Sequence, residues 1–149
     1  MADTPLVTLR EITKDTVRAI VGLEVAEHQR GMVATNGLSI SQAYFEPKGW
    51  FRGIYAGDEP VGFVMVYEDP DTPEYFLWRF MIDHRHQGRG YGRRALELVI
   101  ERVCTLPNAT RFLTSYVPGP GSPGDFYHKL GFVDTGEEDH GELLTALEF

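Results

Sequence analysis

The spacing of apolar positions along the chain predicts an alternation of short strands and helices. Residues 6–12 alternate loosely between apolar and polar side chains, a strand pattern. Val17, Ile20, Val21 and Val25 then recur at helical spacing, behind Thr13 as a capping hydroxyl and Asp15 as first-turn charge. They predict a first helix to about Glu27. Residues 31–37 have no clear period. Ser39 is expected to cap a short second helix carrying Ala43, Tyr44 and Phe45, which Pro47 stops. Residues 50–56 and 61–67 read as strands joined by the turn Gly57-Asp58-Glu59-Pro60, a hairpin. After a polar turn at 69–73, residues 74–83 are rich in aromatic and aliphatic side chains and read as a central strand.

The second half continues the alternation. Leu96, Val99, Ile100 and Val103 fall at i, i+3, i+4 and i+7, an amphipathic helix with one apolar stripe and Pro107 just beyond its end. Residues 111–117 form another strand. The segment 118–124 carries three prolines and three glycines and reads as a loop. Residues 125–130 suit a short helix ended by Gly131, and strands at 132–135 and 142–149 close the chain. The hairpins imply antiparallel pairing, whereas the strand-helix-strand unit over 74–117 implies a parallel crossover. The expectation is an α/β (α+β) domain with a mixed sheet, spanning residues 1–149 as one unit.

Composition narrows the class. Hydrophobic residues make up 42% and charged residues 24% of 149 residues, close to the averages for globular proteins. No apolar run approaches the roughly 20 residues of a membrane span, and no basic-then-apolar leader opens the chain. Cys104 is the sole cysteine, which rules out an internal disulfide and fits a reducing, cytoplasmic compartment. At the end of a helical stripe it is expected to be a small buried apolar residue. The formal net charge of −8 argues against nucleic acid as a partner and favours a cationic ligand. His84 and His86 bracket one residue, with no cysteine pair beside them, so no metal site is expected.

The candidate chemistry centres on Gln87-Gly88-Arg89-Gly90-Tyr91-Gly92-Arg93, which joins a buried strand to the start of the long helix. Glycines let a backbone approach a ligand closely, and a helix N-terminus offers unpaired N–H groups and positive dipole. Arg89 and Arg93 add charge and Gln87 an amide donor. The natural ligand is a phosphate or pyrophosphate. Arg93 and Arg94 follow Gly92 where a P-loop needs Lys-Ser/Thr, and glycines at 88, 90 and 92 do not match the dinucleotide fingerprint.

This segment resembles motif A of the GNAT superfamily of N-acetyltransferases, with Gln87, Gly90 and Gly92 at its positions. Phe126-Tyr127-His128-Lys129-Leu130-Gly131-Phe132 is similar to that superfamily's motif B. The resemblance implies a seven-stranded, mostly antiparallel sheet splayed between strands 4 and 5, flanked by about four helices. It implies acetyl-CoA as cosubstrate, held by Phe80, Met81, Ile82 and residues 87–93 (Gln87, Gly88, Arg89, Gly90, Tyr91, Gly92, Arg93). It also implies attack of an amine on the thioester within a ternary complex, with Tyr127 protonating the thiolate. The family's asparagine ahead of the motif B helix is replaced by Pro120.

The segments 29–36, 39–47 and 79–83 are further similar to bacterial spermine/spermidine acetyltransferases, which implies a polyamine acceptor. Where some of those enzymes carry an acidic pair, this chain has Trp78-Arg79. Glu24, Glu27, His28 and Glu74 are the candidate residues for the acceptor end. Another amine as acceptor (an aminoglycoside, an amino acid or a protein N-terminus), a CoA-binding sensor without turnover and a protein-interaction module remain alternatives. A homodimer through the last strand is expected by analogy.

Overall fold

The computed structural model describes residues 4–149. Its seven strands are β1 (Val7–Arg10), β2 (Gly49–Ala56), β3 (Glu59–Asp69), β4 (Glu74–Ile82), β5 (Arg111–Tyr116), β6 (Val133–Asp139) and β7 (Glu142–Glu148). They form one sheet in the order β1-β2-β3-β4-β5-β7-β6. Four helices flank it: α1 (Val17–Val21), α2 (Asn36–Tyr44), α3 (Tyr91–Val103) and α4 (Gly124–Lys129).

Every neighbouring pair is antiparallel except β4 and β5, which α3 joins as a parallel crossover. That pair touches at one rung only, Phe76 opposite Leu113. Beyond it the strands part, and the sheet opens in the middle.

Two apolar layers sandwich the sheet. Val61, Val64 and Val66 pack with Leu96, Val99 and Val103 of α3, while Phe63 and Met65 pack with Ile20 of α1 and Leu23. Residues facing both layers are fully buried on β3, which is why 61–66 is a nearly unbroken apolar run. The stripe that the sequence predicts on α3 packs as expected through Leu96, Val99 and Val103.

Three local expectations are corrected. The first helix stops at Val21 rather than near Glu27. Its continuation pairs instead with the end of β4: Glu24 N donates to Asp83 Oδ1 at 2.9 Å and His84 N to Glu24 O at 2.8 Å. Those tertiary bonds outweigh helical propensity, and only a 3₁₀ turn at Glu27–Gln29 remains. The second helix is capped by Thr35, not Ser39; Thr35 Oγ1 accepts from Leu38 N at 3.2 Å. Ser39 lies buried inside that helix and donates to Thr35 O. Cys104 is exposed, because it falls one residue past Val103 and off the apolar stripe, and its thiol donates to Glu101 O.

Candidate active site

The parting of β4 and β5 creates a cleft of about 770 Å³. Its walls come from the whole of 76–82 on β4, from 114–117 on and after β5, from the loop before α3, and from Phe126 and Tyr127 of α4. Volumes of this size suit a small-molecule ligand.

The loop end is built for an anion. Gly88 and Gly90 sit at φ +78° and +81°, the left-handed region that side chains rarely adopt. A Cβ at either would meet no atom within 4 Å, so the fold itself does not need the room and a ligand can use it. Gly90 is the N-cap of α3 and has no side chain to cap with, which leaves the first-turn N–H groups unspent. Of the candidates for the cosubstrate, Phe80, Met81, Ile82, Gln87, Gly88, Gly90, Tyr91, Gly92 and Arg93 line the cleft. Arg89 does not. The Gln87 amide is committed elsewhere: Nε2 donates to Ile82 O and to Gln29 Oε1, both at 2.9 Å. Gln87 therefore shapes the loop, and backbone N–H groups with Arg93 supply the positive field.

Asp83 anchors this end. It is buried and accepts from Arg85 Nε at 2.8 Å as well as from the Glu24 backbone. Burial alone would push its carboxyl up; the Arg85 guanidinium and the Glu24 and Arg85 N–H groups together hold it below the ordinary carboxylate range.

Tyr127 lies deeper, level with the point where the strands separate. It is buried against Tyr116, Phe126 and Phe132. Burial raises its phenol to about 12, with the Thr114 hydroxyl opposing. Tyr116 donates to Asp134 at 3.0 Å, and its phenol is raised too, by burial first and then by that carboxylate. Phe80 stacks on Phe126 at 5.9 Å, which fixes α4 against β4.

The acceptor candidates fare differently. Glu24 and Glu27 are exposed and off the cleft wall; Glu24 lies 3.6 Å from Arg30. His28 abuts Gly121 but does not line the cleft, and Glu74 starts β4 at the end opposite the glycine loop, in register with Asp69. The stretch after α1 presents Val25 and Gln29 to the cleft rather than the first three, and strand direction removes the fourth. Pro120 is also off the wall, which its neighbours Gly121, Ser122 and Pro123 form. The carboxylates that do line the cleft are Asp139 and Glu142, from the β6–β7 hairpin. No local motif marks them; only the order β5-β7-β6 carries the hairpin to the cleft.

Among the described residues no group of three or more His, Cys, Asp or Glu is placed to hold a metal, and no helix is long and apolar enough to cross a membrane.

A split mixed sheet with a glycine-rich anion loop at the head of α3 is the architecture of an acyl-CoA-type transferase, and the comparisons with known proteins agree. The family described as "Acetyltransferase (GNAT) family" matches residues 36–132, and the chain belongs to it. Among curated relatives, the spermine/spermidine N(1)-acetyltransferase of Bacillus subtilis strain 168 is 28% identical, over 95% of this chain and 98% of its own length. Among solved structures, the PaiA N-acetyltransferase of Thermoplasma acidophilum in complex with coenzyme A superposes with a TM-score of 0.72 at 12% identity, covering 97% of this chain and 99% of that one. An acetyltransferase from Thermus thermophilus does so with a TM-score of 0.69 at 20% identity, covering 99% and 100%.

Proposed function

We propose that the protein transfers the acetyl group of acetyl-CoA to a primary amine of a small polycationic molecule, of the spermine or spermidine class. The observation that carries the reading is the continuous cleft from the glycine loop, past the edge of β4, to Tyr127. The loop and the α3 N-terminus fit a pyrophosphate, and 80–82 fit an extended pantetheine arm. The polyamine class is favoured by the full-length Bacillus relative's printed activity, by the net charge of −8, and by Asp139 and Glu142 in the cleft wall.

The chain's own groups then divide the work. Backbone N–H groups near Met81 and Ile82 are the donors for the developing oxyanion. Tyr127 faces the departing sulfur. A phenol near 12 is about three units weaker as an acid than a thiol, so complete proton transfer to a thiolate is uphill by roughly 4–5 kcal/mol. Tyr127 therefore acts as a hydrogen-bond donor that stabilises the thiolate, and solvent supplies the proton. Positioning the two substrates contributes the larger share of the rate.

The test is thiol release from acetyl-CoA with spermine, spermidine, an aminoglycoside and an amino-acid panel. Release with the polyamines supports the full reading. Release with another amine alone keeps the transferase and removes the polyamine. Tight CoA binding without release from any amine would make the protein a sensor.

A further inference from the structure

Transfer to an amine requires that the ammonium first lose a proton, and the carboxylates that the sequence offered as bases lie off the cleft. Arg79 lies on it. It follows a bulge in β4, where Met65 pairs with Arg79 and the next residue, Val66, with Leu77, so that Trp78 is extra. Its guanidinium has only neutral partners. Nη1 donates to Trp78 O at 2.9 Å, Nη2 to Gln42 Oε1 at 3.2 Å, and Nε is buried with no partner. Among the described residues no carboxylate lies within ion-pair distance of it.

Arg79 is also level with the reacting end. Thr114, beside Tyr127, bonds to Leu77 O, and Phe126 of α4 stacks on Phe80, so Tyr127 faces the stretch 77–80. The charged and titratable groups sharing this wall are Glu142 of β7, Asp139 of β6, Tyr116 of β5 and Tyr127 of α4, with His86, Tyr91 and Arg93 near the loop. Glu142 is the one whose charge is felt at Arg79; burial lowers the affinity of Arg79 for its proton and Glu142 opposes that.

We propose that the uncompensated charge of Arg79 lowers the proton affinity of the acceptor ammonium held in the cleft, so that the amine reaches the thioester as free base without a dedicated carboxylate. A like charge close by disfavours the protonated form. The ammonium passes its proton to water in the open cleft. Its nitrogen then forms the bond to the acetyl carbon as the carbon–sulfur bond breaks, the N-protonated amide so formed gives its second proton to water, and the thiolate takes a proton from solvent. The net change is one amide, one thiol and one proton released. The inference rests on the transferase reading above.

The experiment is kcat and kcat/KM against pH for wild type, Arg79→Gln and Arg79→Lys, with spermidine or whichever amine of the panel the wild type turns over. The acid limb of kcat/KM reports the free reactants and stays in place in all three. The acid limb of kcat reports the bound amine. It moves up by about one to two units in Arg79→Gln, giving a loss of roughly 10- to 100-fold near pH 7 that shrinks as pH rises. Arg79→Lys retains the wild-type limb. A loss in Arg79→Gln by the same factor at every pH, or an unmoved limb, overturns the proposal alone. Failure of the wild type to release thiol with any amine overturns the transferase reading and this proposal with it.

Discussion

The Thr114 hydroxyl donates to the Leu77 carbonyl at 3.1 Å across the point where β4 and β5 begin to part. It lies one residue beyond the last shared rung, Phe76 with Leu113, so a side chain ties the strands where the backbone ladder ends. Both residues are buried. Thr114→Val keeps the shape and removes the donor, which leaves a buried carbonyl unpaired. We expect a loss of about 1–3 kcal/mol in urea unfolding. The same change removes the one influence that lowers the Tyr127 phenol, so spectrophotometric titration should show that phenol ionising at still higher pH.

Tyr127 gives a second prediction, with a definite sign. Its folded pKa lies above the unfolded value, so the fold disfavours the phenolate. Stability is unaffected well below pH 10 and is lost as pH rises from 10 through about 12, at up to about 1.4 kcal/mol per pH unit. Tyr127→Phe should make this alkaline slope shallower; Tyr75 and Tyr116, also raised by burial, keep some of it. In turnover, Tyr127→Phe should lower kcat about 10- to 100-fold, less than the loss of a full general acid, with little change in KM for acetyl-CoA. A loss of about 10⁴-fold would mean that Tyr127 transfers its proton completely.

Asp83 has the opposite sign. Its carboxyl is held below the ordinary range, so its contribution is full above the unfolded value near 4 and is lost as pH falls through the folded one. Asp83→Asn should cost about 2 kcal/mol at pH 7 by freeing Arg85 and the Glu24 backbone. The gap from wild type should close below about pH 4 in thermal melts across pH. An equal gap at pH 3 and pH 7 would show that shape, not charge, makes Asp83 matter.

The sequence was legible wherever chemistry is local. The glycine loop, the α3 stripe and the seven strands follow from spacing within a few residues, and the parallel crossover follows from strand-helix-strand order. The end of α1 was not legible, because Val25 continues the helical period while the partner that competes for Glu24, Asp83, lies 59 residues from it. Nor were Asp139 and Glu142: in the sequence they are charged residues around a turn, and only the β5-β7 pairing brings them to the cleft. Arg79 stood in view, but its meaning depends on missing counter-charge, which a sequence does not display.

Gly124 tests how α4 is seated. A Cβ there would lie 2.7 Å from Tyr116 Cε2, so Gly124→Ala must push apart α4 and β5. We expect a loss of about 1–3 kcal/mol in stability and weaker acetyl-CoA binding by calorimetry, since Phe126 and Tyr127 ride on the same helix.

Glu142 and Arg79 together give the sharpest test of the acceptor end. Glu142 accepts from Ser115 at 3.4 Å and lines the same cleft, so in the polyamine reading it holds an ammonium of the acceptor. Glu142→Gln should raise KM for the polyamine about 5- to 20-fold, or roughly 1–2 kcal/mol, and leave acetyl-CoA affinity unchanged. The same substitution on the exposed Glu74 should change neither. The carboxylate of Glu142 also tempers the field of Arg79, so removing it should move the acid limb of kcat downward, opposite to Arg79→Gln. If the two charges act on one bound ammonium, the double variant should fall between the singles. Shifts in the same direction would place the acceptor away from this pair.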